Sequence, residues 1–380
     1  MAREPVSLNS MVKFLQRGSL SPRVGPLVRR FGLVIAGMLV GLGVVEFWFR
    51  WFVPVCEMPF VRYLEEYRIL TYDPDLQREG VYTAGPRSEI KGRWRINNAG
   101  WNSRVDYVEE KNRPRIAIIG DSYVEAFQVD LENSFPELLR AKLGAQVDIY
   151  QFGISGATLA GYLRISRYVR EQYDPDVLVF NLCHNDFVPS VALPGDPKGV
   201  RSRILVDGDV VRELAPKPYQ PSFWRRLLAK SDFVRFLVFN REILGRNSSP
   251  GSKQPNDWEK GNLRGGRFES ARSVLRYVVE QIANENPNRS LVFMLDADRN
   301  AIVRERPRSL AMATWAEELS LLTGGFEGEF VDLETAVRAD FEANGAPLSF
   351  DSDYHWNRRG HRVVAEELLS TSSLRDLVDD

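Results

Sequence analysis

From residue 115 onward, short apolar runs alternate with amphipathic stretches, the pattern of parallel strands separated by helices. The run at 115–119, RIAII, lies between Pro114 and Gly120 and predicts a first strand. Ser134 followed by Glu137 reads as a capping box, and Phe135, Leu138, Leu139 and Leu143 then trace one helical face up to Gly144. A second strand is expected at 147–152 and a helix at 159–173. The nearly continuous apolar run DVLVFNL at 176–182 suits a central strand buried on both faces. After an interruption, Phe268, Leu275, Val278, Val279 and Ile282 mark a long helix, followed by a strand at 290–295. A helix at 312–322, a short strand at 330–333 and helices at 333–344 and 359–370 complete the alternation. About five parallel strands with right-handed crossovers put helices on both faces of an α/β/α sandwich.

Three regions break this rhythm. Residues 31–45 read FGLVIAGMLVGLGVV, and the apolar character continues through Phe47, Trp48, Phe49, Trp51, Phe52 and Val53. That length predicts a transmembrane helix over 31–55, since a hydrocarbon core of ~30 Å needs about 20 residues. Glu46 and Arg50 stand four apart and can pair on one face, among aromatic residues suited to the headgroup boundary. Arg17, Arg23, Arg29 and Arg30 precede the span, so residues 1–30 are expected in the cytoplasm and the remainder outside. No small-x-small cleavage site follows, which favours an uncleaved anchor over a signal peptide. Residues 56–110 read as a polar connecting segment with a turn at Asn97-Asn98-Ala99-Gly100. Residues 189–267 read as an insertion between 111–188 and 268–380, holding turn signals at Asp207-Gly208 and Pro250-Gly251 and two aromatic-basic segments, SFWRRLL at 222–228 and FVRFLVF at 233–239. A lid, a membrane-surface contact and a solvated excursion all fit it.

Composition narrows the picture modestly. Fifty Lys and Arg against 51 Asp and Glu leave no overall basic excess, so no nucleic-acid partner is expected. Cys56 and Cys183 are too few for a disulfide framework, and three histidines are too few and scattered to suggest a multi-histidine metal site. No cofactor is expected.

Ligands of open parallel sheets bind beyond the carboxyl ends of the strands. The first strand is followed there by Gly120-Asp121-Ser122, the second by Gly153-Ile154-Ser155-Gly156 and the third by His184-Asn185-Asp186. Asp353-Tyr354-His355-Trp356-Asn357 stands just before the last helix, on the same rim. A hydroxyl, a glycine loop, an amide and a histidine thus fall on one rim, each a weak signal alone, in an order and placement that argue against coincidence. A serine hydroxyl needs a neighbouring base, and the oxyanion formed on attack needs fixed donors.

In that chain order the set resembles the SGNH, or GDSL-like, hydrolase superfamily over roughly 113–188 and 268–370. The resemblance implies a flavodoxin-like three-layer fold, with Ser122 as nucleophile and His355 as general base. It further implies an oxyanion hole from the Ser122 N–H, the Gly156 N–H and the Asn185 amide. Two positions depart from the family's blocks. Cys183 occupies the usual glycine of Gly-x-Asn-Asp, and Ser352 occupies the usual aspartate of Asp-x-x-His. The nearest carboxylate is Asp353, with Asp351 in reserve, and the resulting Asp-x-His-Trp looks like the membrane-tethered branch of alginate-type O-acetyltransferases. The expected activity is therefore that of an exported esterase or O-acyltransferase on acylated carbohydrate or envelope polymer, anchored in the inner membrane with its catalytic domain periplasmic or extracellular. A transferase would need a membrane acyl-donor partner. His184 and Trp356 are candidate substrate contacts, Asp121 and Asp186 are expected to hold loop geometry, and His361 is expected to be structural. A membrane-surface lipid esterase or thioesterase and an inactive anchored assembly factor are the competing functions.

Overall fold

A computed structural model of the chain describes residues 24–85, 87–195, 199–207, 210–240 and 266–379. Most of the expected cytoplasmic segment, with Arg17 and Arg23, lies outside them, as do Gly208 of the expected Asp207-Gly208 turn, the Pro250-Gly251 turn and in all 30 of the 79 residues of the 189–267 insertion.

Two compact units are present. The first comprises the helix α1 (Val24–Phe52) together with Ser231–Phe233. Its stretch Val28–Phe52 has a mean hydropathy of 2.0, long and apolar enough to cross a membrane by length and composition. The apolar side chains are exposed around the helix, Phe31, Leu39, Val40, Val44 and Trp51 among them. The expected Glu46–Arg50 pair is present at 3.8 Å. Both residues also hold the later segment: Ser231 Oγ donates to Glu46 at 2.6 Å and Arg50 pairs with Asp232 at 3.1 Å.

The second unit carries the sheet. Its strands are β1 (Arg115–Gly120), β2 (Asp148–Gly153), β3 (Val177–Leu182), β4 (Ser290–Leu295) and β5 (Glu329–Asp332). All pair in parallel, in the spatial order 2-1-3-4-5. The chain winds from β1 outward to β2, then crosses back to the other side of β1. The carboxyl ends of β1 and β3 therefore open the crevice where doubly wound sheets bind ligands.

Strand residues alternate between two cores. Ala117, Ile119, Phe152, Leu178, Phe180, Phe293 and Leu295 face one side, and Ile116, Ile118, Ile149, Val177, Val179, Val292 and Met294 the other. The first side is covered by α4 (Leu159–Tyr173), α5 (Gly266–Glu285) and α6 (Leu310–Gly324), the second by α3 (Phe135–Leu143), α7 (Glu334–Asn344) and α8 (Arg358–Leu369). This is the expected three-layer sandwich of five parallel strands.

Local details differ from expectation at two places. Ser134 does precede α3, but its hydroxyl donates to the Leu131 carbonyl rather than closing a capping box. Glu137 is drawn away to the Arg104 N–H at 3.0 Å, and the Phe135 N–H is accepted by His361 Nδ1 at 3.3 Å. Residues 56–110 hold two antiparallel hairpins, Val61–Leu64 with Ile69–Tyr72 and Glu79–Ala84 with Ile90–Arg95. Their inward side chains, Tyr72 and Trp94, pack on Phe127 just beyond β1. The turn at 97–100 forms as expected, with the Gly100 N–H donating to the Asn97 carbonyl at 3.1 Å. Within the insertion, Val191–Ala192, Arg203–Asp207 and Val210–Leu214 make a small sheet. Arg167 of α4 clamps it, pairing with Glu213 at 2.7 Å and with Glu285 of α5 at 2.7 Å.

Candidate active site

The rim at the carboxyl ends is built on close backbone approach. The short helix α2 (Ser122–Glu125) begins directly after β1, its N-terminus capped by Asp121, whose Oδ1 accepts from the Tyr123 N–H at 3.0 Å. A side chain at Gly153 would strike the backbone nitrogen of Glu125 at 2.3 Å, so only glycine lets β2 end against this helix. The turn thus presents the Ser122 hydroxyl at the sheet's edge, with its N–H at the start of α2.

Three expected residues converge there. His355 Nε2 lies 2.7 Å from Ser122 Oγ across 233 residues of sequence. The opposite ring nitrogen, Nδ1, meets Asp353 Oδ1 at 2.5 Å, and the same oxygen accepts the His355 backbone N–H at 2.9 Å. Asp351, the reserve acid, is exposed and does not reach the ring. Burial alone would push the imidazole's pKa down, but the Asp353 charge and hydrogen bond outweigh it and leave the ring above its ordinary value. Burial likewise would raise Asp353, and the His355 charge with its two hydrogen bonds brings it below the usual carboxylate range. An imidazole oriented in this way can take a proton from Ser122 and be stabilised once charged.

The donors of the expected oxyanion site lie on the same rim. Among the described residues the backbone N–H groups of Ser122 and Gly156 make no hydrogen bond, which leaves both available to a ligand. Gly156 takes φ +76°, a left-handed conformation that a side chain would strain. The Asn185 amide donates to Asp121 Oδ2 at 3.0 Å, while its own carbonyl oxygen is buried without a partner. Asp121 therefore aims the amide as well as capping α2. Asp186 holds the neighbouring turn, accepting from the Cys183 N–H at 2.7 Å.

The two candidate substrate contacts separate. His184 is half-buried beside Tyr354, ring centroids 5.2 Å apart, and burial, Arg299 and His355 push its pKa down to about 3, so it presents a neutral ring. Trp356 lies under the site rather than on it: its ring is 1% exposed, and Nε1 donates to Asp296 Oδ1 at 3.0 Å. His361 is buried behind Trp356, and burial with the charges of His355 and Arg299 lowers its pKa to about 3. Neutral, it can accept the Phe135 N–H already described.

Several supporting residues were not foreseen. Arg299 is buried beside β4's end and pairs with Asp296 at 2.9 Å. It also donates to the Tyr123 hydroxyl at 2.6 Å and to the Tyr354 carbonyl at 2.5 Å. The Tyr123 hydroxyl donates to that carbonyl too, at 3.1 Å, so the loop bearing Asp353 and His355 is fastened from below. The signal was the placement of Asp296 to Arg299 immediately after a strand, on the rim where the other chemistry lies. Glu125 is a second case: its carboxyl accepts from the Ser155 N–H at 2.8 Å and also meets the Ser155 and Tyr72 hydroxyls. It joins α2 to the loop that carries Gly156. Among the described residues no group of three or more His, Cys, Asp or Glu side chains is arranged to hold a metal ion.

Comparison with known proteins places these features in context. The sequence pattern of the GDSL-like lipase/acylhydrolase family matches residues 118–363. A comparison with curated protein sequences gives no match. Among solved structures, a member of the lipolytic G-D-S-L family from Veillonella parvula is similar at 12% identity and a TM-score of 0.40, over 68% of this chain and 97% of that one. An acetyl xylan esterase is similar at 16% identity and a TM-score of 0.41, over 67% and 98%. A psychrotrophic esterase from Pseudoalteromonas sp. is similar at 13% identity and a TM-score of 0.37, over 70% and 99%.

Proposed function

The chain belongs to the GDSL-like lipase/acylhydrolase family, and from that premise we propose that it is an exported, membrane-anchored serine esterase or O-acyltransferase acting on acyl esters, chiefly acetyl esters, of carbohydrate or envelope polymer. The observation that carries this reading is the 2.7 Å contact between His355 Nε2 and Ser122 Oγ, with Asp353 on the far side of the ring. Ser122 attacks the acyl carbonyl as its proton passes to His355. The carbon–oxygen bond to the alcohol then breaks, the proton goes to the departing oxygen, and the acyl group remains on Ser122. Water resolves this intermediate in an esterase and a sugar hydroxyl in a transferase, His355 again taking the incoming proton. The free N–H groups of Ser122 and Gly156 and the Asn185 amide are the donors assigned to the oxyanion.

Two features favour the transferase branch that resembles alginate-type O-acetyltransferases: the Asp353-Tyr354-His355-Trp356 block and the apolar helix at the N-terminus. Arg29 and Arg30 at the start of that helix support a single-pass anchor in the cell inner membrane, with the catalytic domain periplasmic or extracellular. A transferase of this kind would receive acyl groups from a membrane partner. A membrane-surface lipid esterase is the second reading, favoured by the exposed Phe223, Trp224, Leu227 and Leu228 of the insertion. Turnover of p-nitrophenyl acetate and acetylated sugars by the full chain in detergent, beside Ser122→Ala, tests the proposal. We expect the variant to lose at least roughly 10³-fold in kcat; undiminished turnover would refute the serine mechanism. Preference for long-chain over acetyl esters would select the lipid reading.

A further inference from the structure

The insertion places one cation against the candidate site. Arg201 precedes the strand Arg203–Asp207, and the residues that follow it are held in place. The Thr158 hydroxyl at the head of α4 donates to the Ser202 carbonyl at 3.0 Å, and Ile204 is fully buried. From there the side chain runs to Gly156. A Cβ built on Gly156 would lie 2.5 Å from Nη2, 2.7 Å from Cζ and 2.8 Å from Nε of Arg201. These three near-equal distances mean that the guanidinium plane lies flat over the glycine, and only the absence of a side chain there admits it.

Among the described residues the charge has no direct partner, although Asp121 and Asp186 favour it from a distance. Among the described residues Arg201 makes no hydrogen bond and no ion pair. Burial pushes its pKa below the ordinary arginine value, with Asp121 and Asp186 acting in the opposite sense, yet an arginine stays charged throughout the accessible pH range. Neither carboxyl is positioned as its partner. The oxygens of Asp121 are taken by the Tyr123 N–H and the Asn185 amide. Asp186 accepts from the Cys183 N–H through Oδ2, its other oxygen is buried without a hydrogen bond, and burial, followed by the charge of Asp121, raises its pKa well above the ordinary value. A half-buried guanidinium with its donors unmade carries a desolvation cost that a ligand can relieve. The space for one is present: a cavity of about 220 Å³ is lined by Ile154, Gly156, Ala157, Val200 and Arg201.

We propose that Arg201 is a specificity-determining residue that receives an anionic group, a carboxylate or a phosphate, carried by the substrate beside the scissile ester. The planar fork of a guanidinium matches both groups in bidentate geometry. The assignment rests on the reading of Ser122 and Gly156 as parts of the reaction centre. It adds to that reading a class of substrate, acylated acidic sugars or phosphorylated ones, over neutral ones.

The experiment is binding to the full chain carrying Ser122→Ala, in detergent, by calorimetry. The probes are O-acetylated glucuronate, O-acetylated glucose 6-phosphate and neutral O-acetylated glucose. At least one anionic probe should bind about 10- to 100-fold more tightly than the neutral one, as a charge-assisted pair implies. That preference should shrink as salt is raised. Arg201→Gln in the same background should bring the ratio of anionic to neutral affinity close to one, while Arg201→Lys keeps part of it. Which anionic probe wins identifies the group. Equal affinity for all three probes, or a preference that survives Arg201→Gln, overturns the proposal; if that variant does not fold, the salt dependence and Arg201→Lys decide. Turnover of esters by Ser122→Ala would overturn the serine mechanism instead, so the two failures are told apart.

Discussion

Glu125 offers the sharpest physical test of how the rim is held together. Its carboxyl is buried and ties α2 to the Ser155-Gly156 loop. Burial pushes its pKa up to about 7 from an ordinary value of 4.5, against the pull of the Ser155 and Tyr72 donors and with the charge of Asp121 adding to the rise. The folded protein therefore keeps a proton on Glu125 that the unfolded chain releases at lower pH. The stability this contributes is fully present below about 4.5 and is lost as pH rises through about 7. A shift of that size corresponds to about 3 kcal/mol. Glutamine keeps an acceptor for the Ser155 N–H but cannot ionise. Thermal melts of wild type and Glu125→Gln, full chain in detergent, should thus diverge with pH. Between pH 4 and pH 8 the variant should gain about 3 kcal/mol on the wild type, or roughly 4 °C in relative Tm for a protein of this size. Glu125→Ala instead leaves the Ser155 N–H and the Tyr72 hydroxyl without their acceptor, costing about 1–3 kcal/mol for each at every pH. An offset between wild type and Glu125→Gln that stays constant from pH 4 to 8 would show that Glu125 does not titrate as reasoned.

Three further outcomes are expected. Asn185→Ala should lower kcat about 10²- to 10³-fold, because it removes one oxyanion donor, and should cost about 1–3 kcal/mol of stability by leaving the buried Asp121 Oδ2 without that donor; a smaller loss of turnover would remove the amide from the mechanism. Asp353→Asn should reduce kcat by about 10⁴-fold and, by withdrawing the charge that holds His355 above its ordinary pKa, move the acid limb of the residual pH–rate profile to lower pH. Asp351→Asn should do neither. Trp356→Phe should destabilise the fold by about 1.5–3 kcal/mol through loss of its hydrogen bond to Asp296, read as a change in denaturation midpoint.

The parallel sheet was legible because its strands are nearly unbroken apolar runs, and the rim chemistry because it follows those strands directly. The two hairpins of 56–110 were not recognised, although Ile90, Gly92 and Trp94 are buried while Lys91 and Arg93 are exposed, an alternation of period two. Frequent charges masked it. The Ser134–Glu137 pair was misread for another reason: His361, 226 residues away, supplies an acceptor to the start of α3 that no local motif announces. Arg299, Glu125 and Arg201 share that property. Each looks like a surface charge until the fold brings it to Tyr123, Ser155 or Gly156, and long-range partners of this kind leave no periodic trace in sequence.

Asp353 and His355 sit two residues apart on one loop, so their contact needs almost no chain closure and can form in a segment that is otherwise undocked. The hydroxyl they serve arrives from the opposite end of the domain. Covalent capture of Ser122 by a fluorophosphonate should therefore serve as a clock for assembly, staying slow while the carboxyl-terminal segment is unseated and accelerating only when that segment closes onto the sheet.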